Sequence, residues 1–158
     1  MKQIWAPWRI EYILGKKDEK GCFLCDKSKE KNDEKNFILC RGKTCFIIAN
    51  TFPYNGGHMM VSPYRHVTDV TDLSKEERAE MMDLTIKCVE ALKSWAKPHG
   101  FNIGINLGRS AGAGETHIHQ HVVPRWDGDT NFMPILADVK VLPEHLAAIC
   151  KAIKKHIK

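Results

Sequence analysis

At 158 residues, 43% of them apolar, the chain has the makeup of one globular domain, long enough to bury roughly two-thirds of its unfolded surface. A net charge of +5 suits an anionic small molecule but is too small and too dispersed to make a nucleic-acid surface. No apolar run approaches the ~20 residues of a membrane span, and the opening Met1–Arg9 lacks an apolar signal-peptide core. The expectation is a cytoplasmic protein with no membrane partner.

The six cysteines, at positions 22, 25, 40, 45, 88 and 150, are then expected as free thiols rather than a disulfide framework. Residues 1–20 read as a loop-like segment whose Trp5 and Trp8 pack on the domain or on a partner subunit. Cys22 and Cys25 form a C-x-x-C pair. Two thiolates at this spacing can share a zinc ion if two more ligands are found elsewhere. The other reading is a redox dithiol, for which no helix start is visible.

A charged loop, residues 28–36, leads to two β-rich runs, 37–40 and 44–49, which predict a hairpin. The turn-rich stretch 50–57 precedes a strand over 58–63. Ser74 as N-cap with Glu77 three residues on is a capping box and predicts a helix over 74–96. Its apolar positions, Met81, Met82, Ile86, Cys88, Val89, Leu92, Trp95 and Ala96, predict one broad buried stripe. Pro98 and Gly100 end it. Residues 101–108 alternate as a strand and run into Gly108–Gly114, a small-residue loop. A last helix is predicted over 143–157, with Leu146, Ile149, Cys150, Ile153 and Ile157 inward and Lys151, Lys154, Lys155 and Lys158 in solvent. The elements describe an α+β domain: an antiparallel sheet, one long central helix and a C-terminal helix.

The densest chemistry lies in Thr116–Trp126, T-H-I-H-Q-H-V-V-P-R-W. On a strand, side chains two apart share a face, so His117, His119 and His121 would form a row of imidazoles. Val122 and Val123 favour a strand, and Pro124 marks its end. A His-x-His pair by itself reads as a metal site or as paired histidines. Glycines upstream let backbone N–H groups approach a phosphate closely, and a phosphate cradle beside imidazoles points to phosphoryl or nucleotidyl transfer through histidine.

The pattern His–apolar–His–Gln–His–Val–Val resembles the histidine-triad superfamily of nucleotide hydrolases and transferases, with matches from about Cys22 to Arg125. Trp5-Ala6-Pro7-Trp8-Arg9 and the tail after Arg125 resemble its dinucleoside tetraphosphate phosphorylase branch. The resemblance implies a HIT-like fold and a homodimer. It implies His119 as nucleophile on the α-phosphorus, and His121 as hydrogen-bond donor to phosphate or proton donor to the leaving oxygen. His117 orients the strand, and His58 lies behind the triad. Asn50 is implied at the ribose and Asn106 at the substrate, although each can instead satisfy its own turn or loop. Likewise His58 can be a buried histidine without a chemical role. Gly112 and Gly114 would offer N–H groups to the α-phosphate; many relatives carry Ser or Thr where Gly114 stands, which leaves the leaving-group preference open. The resemblance also implies a structural zinc ion on Cys22, Cys25, His66 and His117, with no organic cofactor.

The expected reaction is that of a diadenosine tetraphosphate phosphorylase, with inorganic phosphate as acceptor and ADP and ATP as products. A hydrolase or nucleoside phosphoramidase using water is the alternative. A nucleotide-binding module without turnover, and a hydrolase with catalytic zinc on the three histidines, stand further off.

Overall fold

The computed structural model describes residues 21–129 and 145–157. The expectations for Trp5, Trp8, Pro143, Lys158 and the tail beyond residue 129 fall outside them. Five strands form one antiparallel sheet: β1 (Ile38–Arg41), β2 (Cys45–Ala49), β3 (Met59–Pro63), β4 (Gly100–Ile105) and β5 (Gln120–Arg125). Their order is β1-β2-β3-β5-β4, so β5 lies inside the sheet and β4 at its edge. The helices are α1 (Phe23–Lys29), α2 (Lys75–Ala96) and α3 (Leu146–Lys154).

The alternation along β2 shows how the layers are built. Cys45, Ile47 and Ala49 enter one cluster with Met81, Leu84, Cys88 and Leu92 of α2 and Ile149 and Ile153 of α3. Phe46 and Ile48 enter a second cluster with Leu24 of α1, Ile38 and Met60. β2 is buried throughout because both faces are covered, a fully apolar run rather than a half-polar one. Leu24 is therefore core.

The capping box is present: Ser74 Oγ accepts from the Glu77 N–H at 3.1 Å, and the Glu77 carboxylate accepts from the Ser74 N–H at 2.8 Å. One turn on, the Glu80 carboxylate accepts hydrogen bonds from the Lys43, Thr44 and Cys45 N–H groups and the Thr44 hydroxyl. These donors outweigh its burial and hold Glu80 at about 2, fastening α2 to the β1–β2 turn as an ionised carboxylate.

Four expectations are corrected. The broad stripe of α2 splits: Met81, Leu84, Cys88, Ala91 and Leu92 are buried, while Met82 and Ile86 are 56% and 50% exposed. Each is one residue round from its buried neighbour (Met81, Thr85), about 100° on a helix, and that turns it off the buried face. The histidine strand begins at Gln120 rather than Thr116, since ladder pairing to both β3 and β4 starts there. Pro124 sits inside β5, opposite Phe101; pairing with β3 stops at Val122, so proline's missing donor leaves no ladder bond broken on that side. Finally, a helix does start at the C-x-x-C pair, with Cys22 as its N-cap; seven residues are too few for periodicity to reveal it.

Gly57 and His58 join the turn-rich loop to β3. The φ of Gly57 is +84°, and a Cβ there would lie 2.9 Å from Leu92 and 3.1 Å from Trp95. Gly57→Ala combines left-handed strain with overpacking against α2 and should cost about 2–4 kcal/mol of unfolding free energy in urea titration. A loss below about 0.5 kcal/mol would contradict this account of the loop, since that is the scale of a neutral surface change.

Candidate active site and metal centre

His58 immediately precedes β3, whose Met60 pairs with His121 of β5, and the two imidazoles meet with centroids 5.1 Å apart. The hydrogen bonds there fix the protons. The Tyr54 backbone N–H, which can only donate, points at His58 Nδ1 at 3.1 Å. The Asn50 amide also lies 3.3 Å from that nitrogen. His58 Nδ1 is therefore an acceptor and Nε2 carries the hydrogen. That N–H donates to His121 Nδ1 at 2.9 Å, which leaves the hydrogen of His121 on Nε2. Burial first, and the neighbouring His119 second, push His121 down to about 4, so it is neutral near pH 7.

His119 precedes the strand, and its Nδ1 lies 2.8 Å from the His117 carbonyl. A carbonyl only accepts, so Nδ1 holds the hydrogen and, in the neutral ring, Nε2 presents a lone pair. This is the tautomer a nitrogen nucleophile needs. The His119 and His121 rings meet edge-on with centroids 4.7 Å apart. The two rings thus offer one lone pair and one N–H side by side.

His117 is turned elsewhere. Its Nε2 donates to the Pro63 carbonyl at 3.1 Å, which bares Nδ1 toward Cys22 Sγ at 3.2 Å and Cys25 Sγ at 3.4 Å. Cys25 Sγ also lies 3.4 Å from His66 Nδ1. The four donor atoms are all within 4.8 Å of one another. A tetrahedral zinc with Zn–S of about 2.3 Å and Zn–N of about 2.0–2.1 Å sets its ligands about 3.3–3.8 Å apart, so this donor set fits a metal ion. A backbone carbonyl holding the far nitrogen of a ligand imidazole is the usual outer support of such a site. Burial pushes the Cys22 thiol up to about 11, opposite to the lowered thiol of a reactive dithiol.

The structure therefore gathers the sequence candidates into two groups: Cys22, Cys25, His66 and His117 in one, and Asn50, His58, His119 and His121 in the other. Asn50 is tied into its own loop, its oxygen accepting from the Phe52 N–H at 2.9 Å. Asn106 lies beside the glycine loop: a Cβ on Gly112, where φ is +88°, would be 4.0 Å from the Asn106 amide nitrogen. Gly112 and Gly114 are exposed. Arg109–Ala111 forms one 3-10 turn within that loop.

Sequence reasoning missed Tyr54 and the Pro63 carbonyl. In each case a backbone atom ties a histidine, and backbone atoms carry no residue-type signal. Elsewhere, a groove of about 540 Å³ between β1 and α3 is lined by Phe37, Ile38, Leu39 and Ala148 among others, and no histidine lines it.

An antiparallel five-stranded sheet carrying a backbone-tied row of histidines is the arrangement of a histidine-triad protein. Residues 31–128 match the HIT domain, and the chain belongs to that family. It is 40% identical over 154 residues to the AP-4-A phosphorylase of Mycobacterium tuberculosis, covering 92% of this chain and 79% of that one. A zinc-bound histidine triad family protein from Mycobacterium smegmatis superimposes with a TM-score of 0.70 at 27% identity, over 87% of this chain and 93% of the other. The diadenosine triphosphate hydrolase of Plasmodium falciparum shares the fold, with a TM-score of 0.61 at 22% identity over 78% and 77% of the two chains.

Proposed function

We propose that this protein is a dinucleoside polyphosphate phosphorylase working through a nucleotidyl-histidine intermediate. The observation that carries the reading is the His119 tautomer: Nδ1–H is held by the chain's own carbonyl, which in the neutral ring makes Nε2 the lone-pair nitrogen. His119 Nε2 attacks the α-phosphorus of diadenosine tetraphosphate. A P–N bond forms, the P–O bond to the next phosphate breaks, and ATP departs. An oxygen of inorganic phosphate then attacks the same phosphorus, the P–N bond breaks, and ADP leaves with His119 restored. Two displacements allow a choice of acceptor at the second.

His121 Nε2–H donates to the phosphoryl oxygens as charge develops there, and Gly112 and Gly114 offer backbone N–H groups to the same end. Asn50 and Asn106 are assigned to substrate contacts, and His58 to holding His121. Phosphate rather than water as acceptor is supported by the likeness to the tuberculosis phosphorylase across most of the chain.

With diadenosine tetraphosphate, ADP and ATP should form only when phosphate is present. His119→Ala should lose at least about a thousandfold in kcat while still binding nucleotide. AMP and ATP formed without regard to phosphate would move the protein to the hydrolases. Full activity in His119→Ala would remove the nucleophile.

Zinc at Cys22, Cys25, His66 and His117 is part of the proposal, as a structural ion: all four positions are filled by protein, which leaves none for substrate. It would cross-link α1 to the lead-in of β5. Elemental analysis should find one zinc per chain, absent from Cys22→Ser; less than about a tenth of an equivalent in freshly purified protein would end the assignment. A cytoplasmic location is likewise proposed, in keeping with cysteines that are all unbridged.

We also propose a homodimer formed across the β4 edge. Ile103 and Leu107 are 48% and 43% exposed on and just after that strand, and Met82 and Ile86 add apolar surface on α2. Light scattering should give twice the chain mass for the wild type and the chain mass for Met82→Glu/Ile86→Glu. A double variant that stays dimeric would reject this face.

A further inference from the structure

Tyr54 is anomalous in its loop. Its ring is 53% exposed, yet it is fixed against the histidines. It stacks on His58 with centroids 4.9 Å apart and planes at 22°, and leans on His121 at 5.8 Å and 42°. Its own backbone N–H supplies the bond that sets the His58 tautomer. One residue therefore touches both rings of the relay and donates the hydrogen bond that gives the relay its direction.

We propose that Tyr54 is a positioning residue for the proposed transfer reaction, its ring roofing the His58–His121 pair so that His121 keeps its Nε2–H on the substrate side. The inference rests on the functional reading above and adds a residue to it. The physical reason lies in what water would do. Among the described residues, the 2.9 Å bond between His58 Nε2 and His121 Nδ1 is what keeps the His121 hydrogen on Nε2. A water reaching that bond can donate to one nitrogen and accept from the other, and so uncouple the rings. His121 is then free to place its hydrogen on Nδ1 and to turn a lone pair toward an anionic phosphate, which repels where it should bind. An aromatic ring lying flat on one imidazole and against the other keeps that water out. The hydroxyl is not required for this, but the ring is. Because the ring is half in solvent, removing it leaves no cavity in the core.

The test uses the full-length protein with Tyr54→Ala, Tyr54→Leu and Tyr54→Phe. Long-range proton–nitrogen spectra of the imidazoles, recorded without substrate, report the tautomers directly. In the wild type and in Tyr54→Phe, His121 should be the single Nε2–H form. In Tyr54→Ala and Tyr54→Leu it should become a mixture. With diadenosine tetraphosphate and phosphate, the Ala variant should lose about tenfold to a hundredfold in kcat with KM little changed, and Phe should restore it to within about threefold.

An unmixed Nε2–H signal with wild-type kcat in Tyr54→Ala overturns the proposal. So does a raised KM with kcat and tautomer unchanged, which would make the ring a substrate contact. The spectra need no substrate. A wild type inactive on dinucleoside polyphosphates would fail the functional reading, and the tautomer result would still judge Tyr54.

Discussion

The active region rests on one property of imidazole: a neutral ring has one hydrogen and one lone pair, and whichever nitrogen is tied to a committed backbone group decides what the other offers. Three rings are tied in this way. The Tyr54 N–H takes the lone pair of His58, the His117 carbonyl takes the hydrogen of His119, and the Pro63 carbonyl takes that of His117. His121 takes its assignment second-hand from His58. Four identical side chains thereby present a donor relay, a lone pair beside it on His119 and a bared nitrogen on His117 that faces two thiols. Had any of these backbone groups been a water, both tautomers would be open and the roles would blur.

His117 couples the two groups of residues. Its ring faces Cys22 and Cys25, while its carbonyl holds the His119 ring. Whatever fixes the ring also fixes the peptide that orients His119. A metal ion there needs no part in the chemistry to matter to it. The Ile118 N–H, bonded to the Val67 carbonyl at 2.7 Å, pins the same short segment from its other side. This also explains why the strand begins only at Gln120: the preceding residues spend their backbone groups on the histidines and on Val67 instead of on the ladder.

Much of this was legible in the sequence, and the parts that were not share a cause. The α+β class, the capping box at Ser74, the C-x-x-C pair and the alternate histidines are written in residue type and spacing, and the two clusters hold the side chains those patterns single out. Where a structural feature depends on a backbone atom, nothing in the letters announces it, as with Tyr54 N–H and Pro63 O. Met82 and Ile86 were misjudged for another reason. Periodicity tells which residues of α2 lie on one face but not how wide a face the sheet covers, and apolar residues just outside it look the same as those inside. The short helix at Cys22 escaped because less than two turns shows no period.

The resting protons also bear on which leaving group the proposed reaction suits. A neutral His121 has one hydrogen to give, and giving it away entirely would leave an imidazolate, a far stronger base than any phosphate oxygen. In this state His121 is a hydrogen-bond donor rather than an acid. A donor is enough for a polyphosphate, which departs as a stable anion and needs its charge only softened. An amine leaving from a phosphoramidate must be protonated outright, which would require His121 to carry a second hydrogen. That hydrogen would sit on Nδ1, against the N–H of His58, and would break the 2.9 Å bond. Burial opposes the same cation. In the proposed reaction the hydrogen supplied by His58 thus favours polyphosphate esters over phosphoramidates, without any contact to the base.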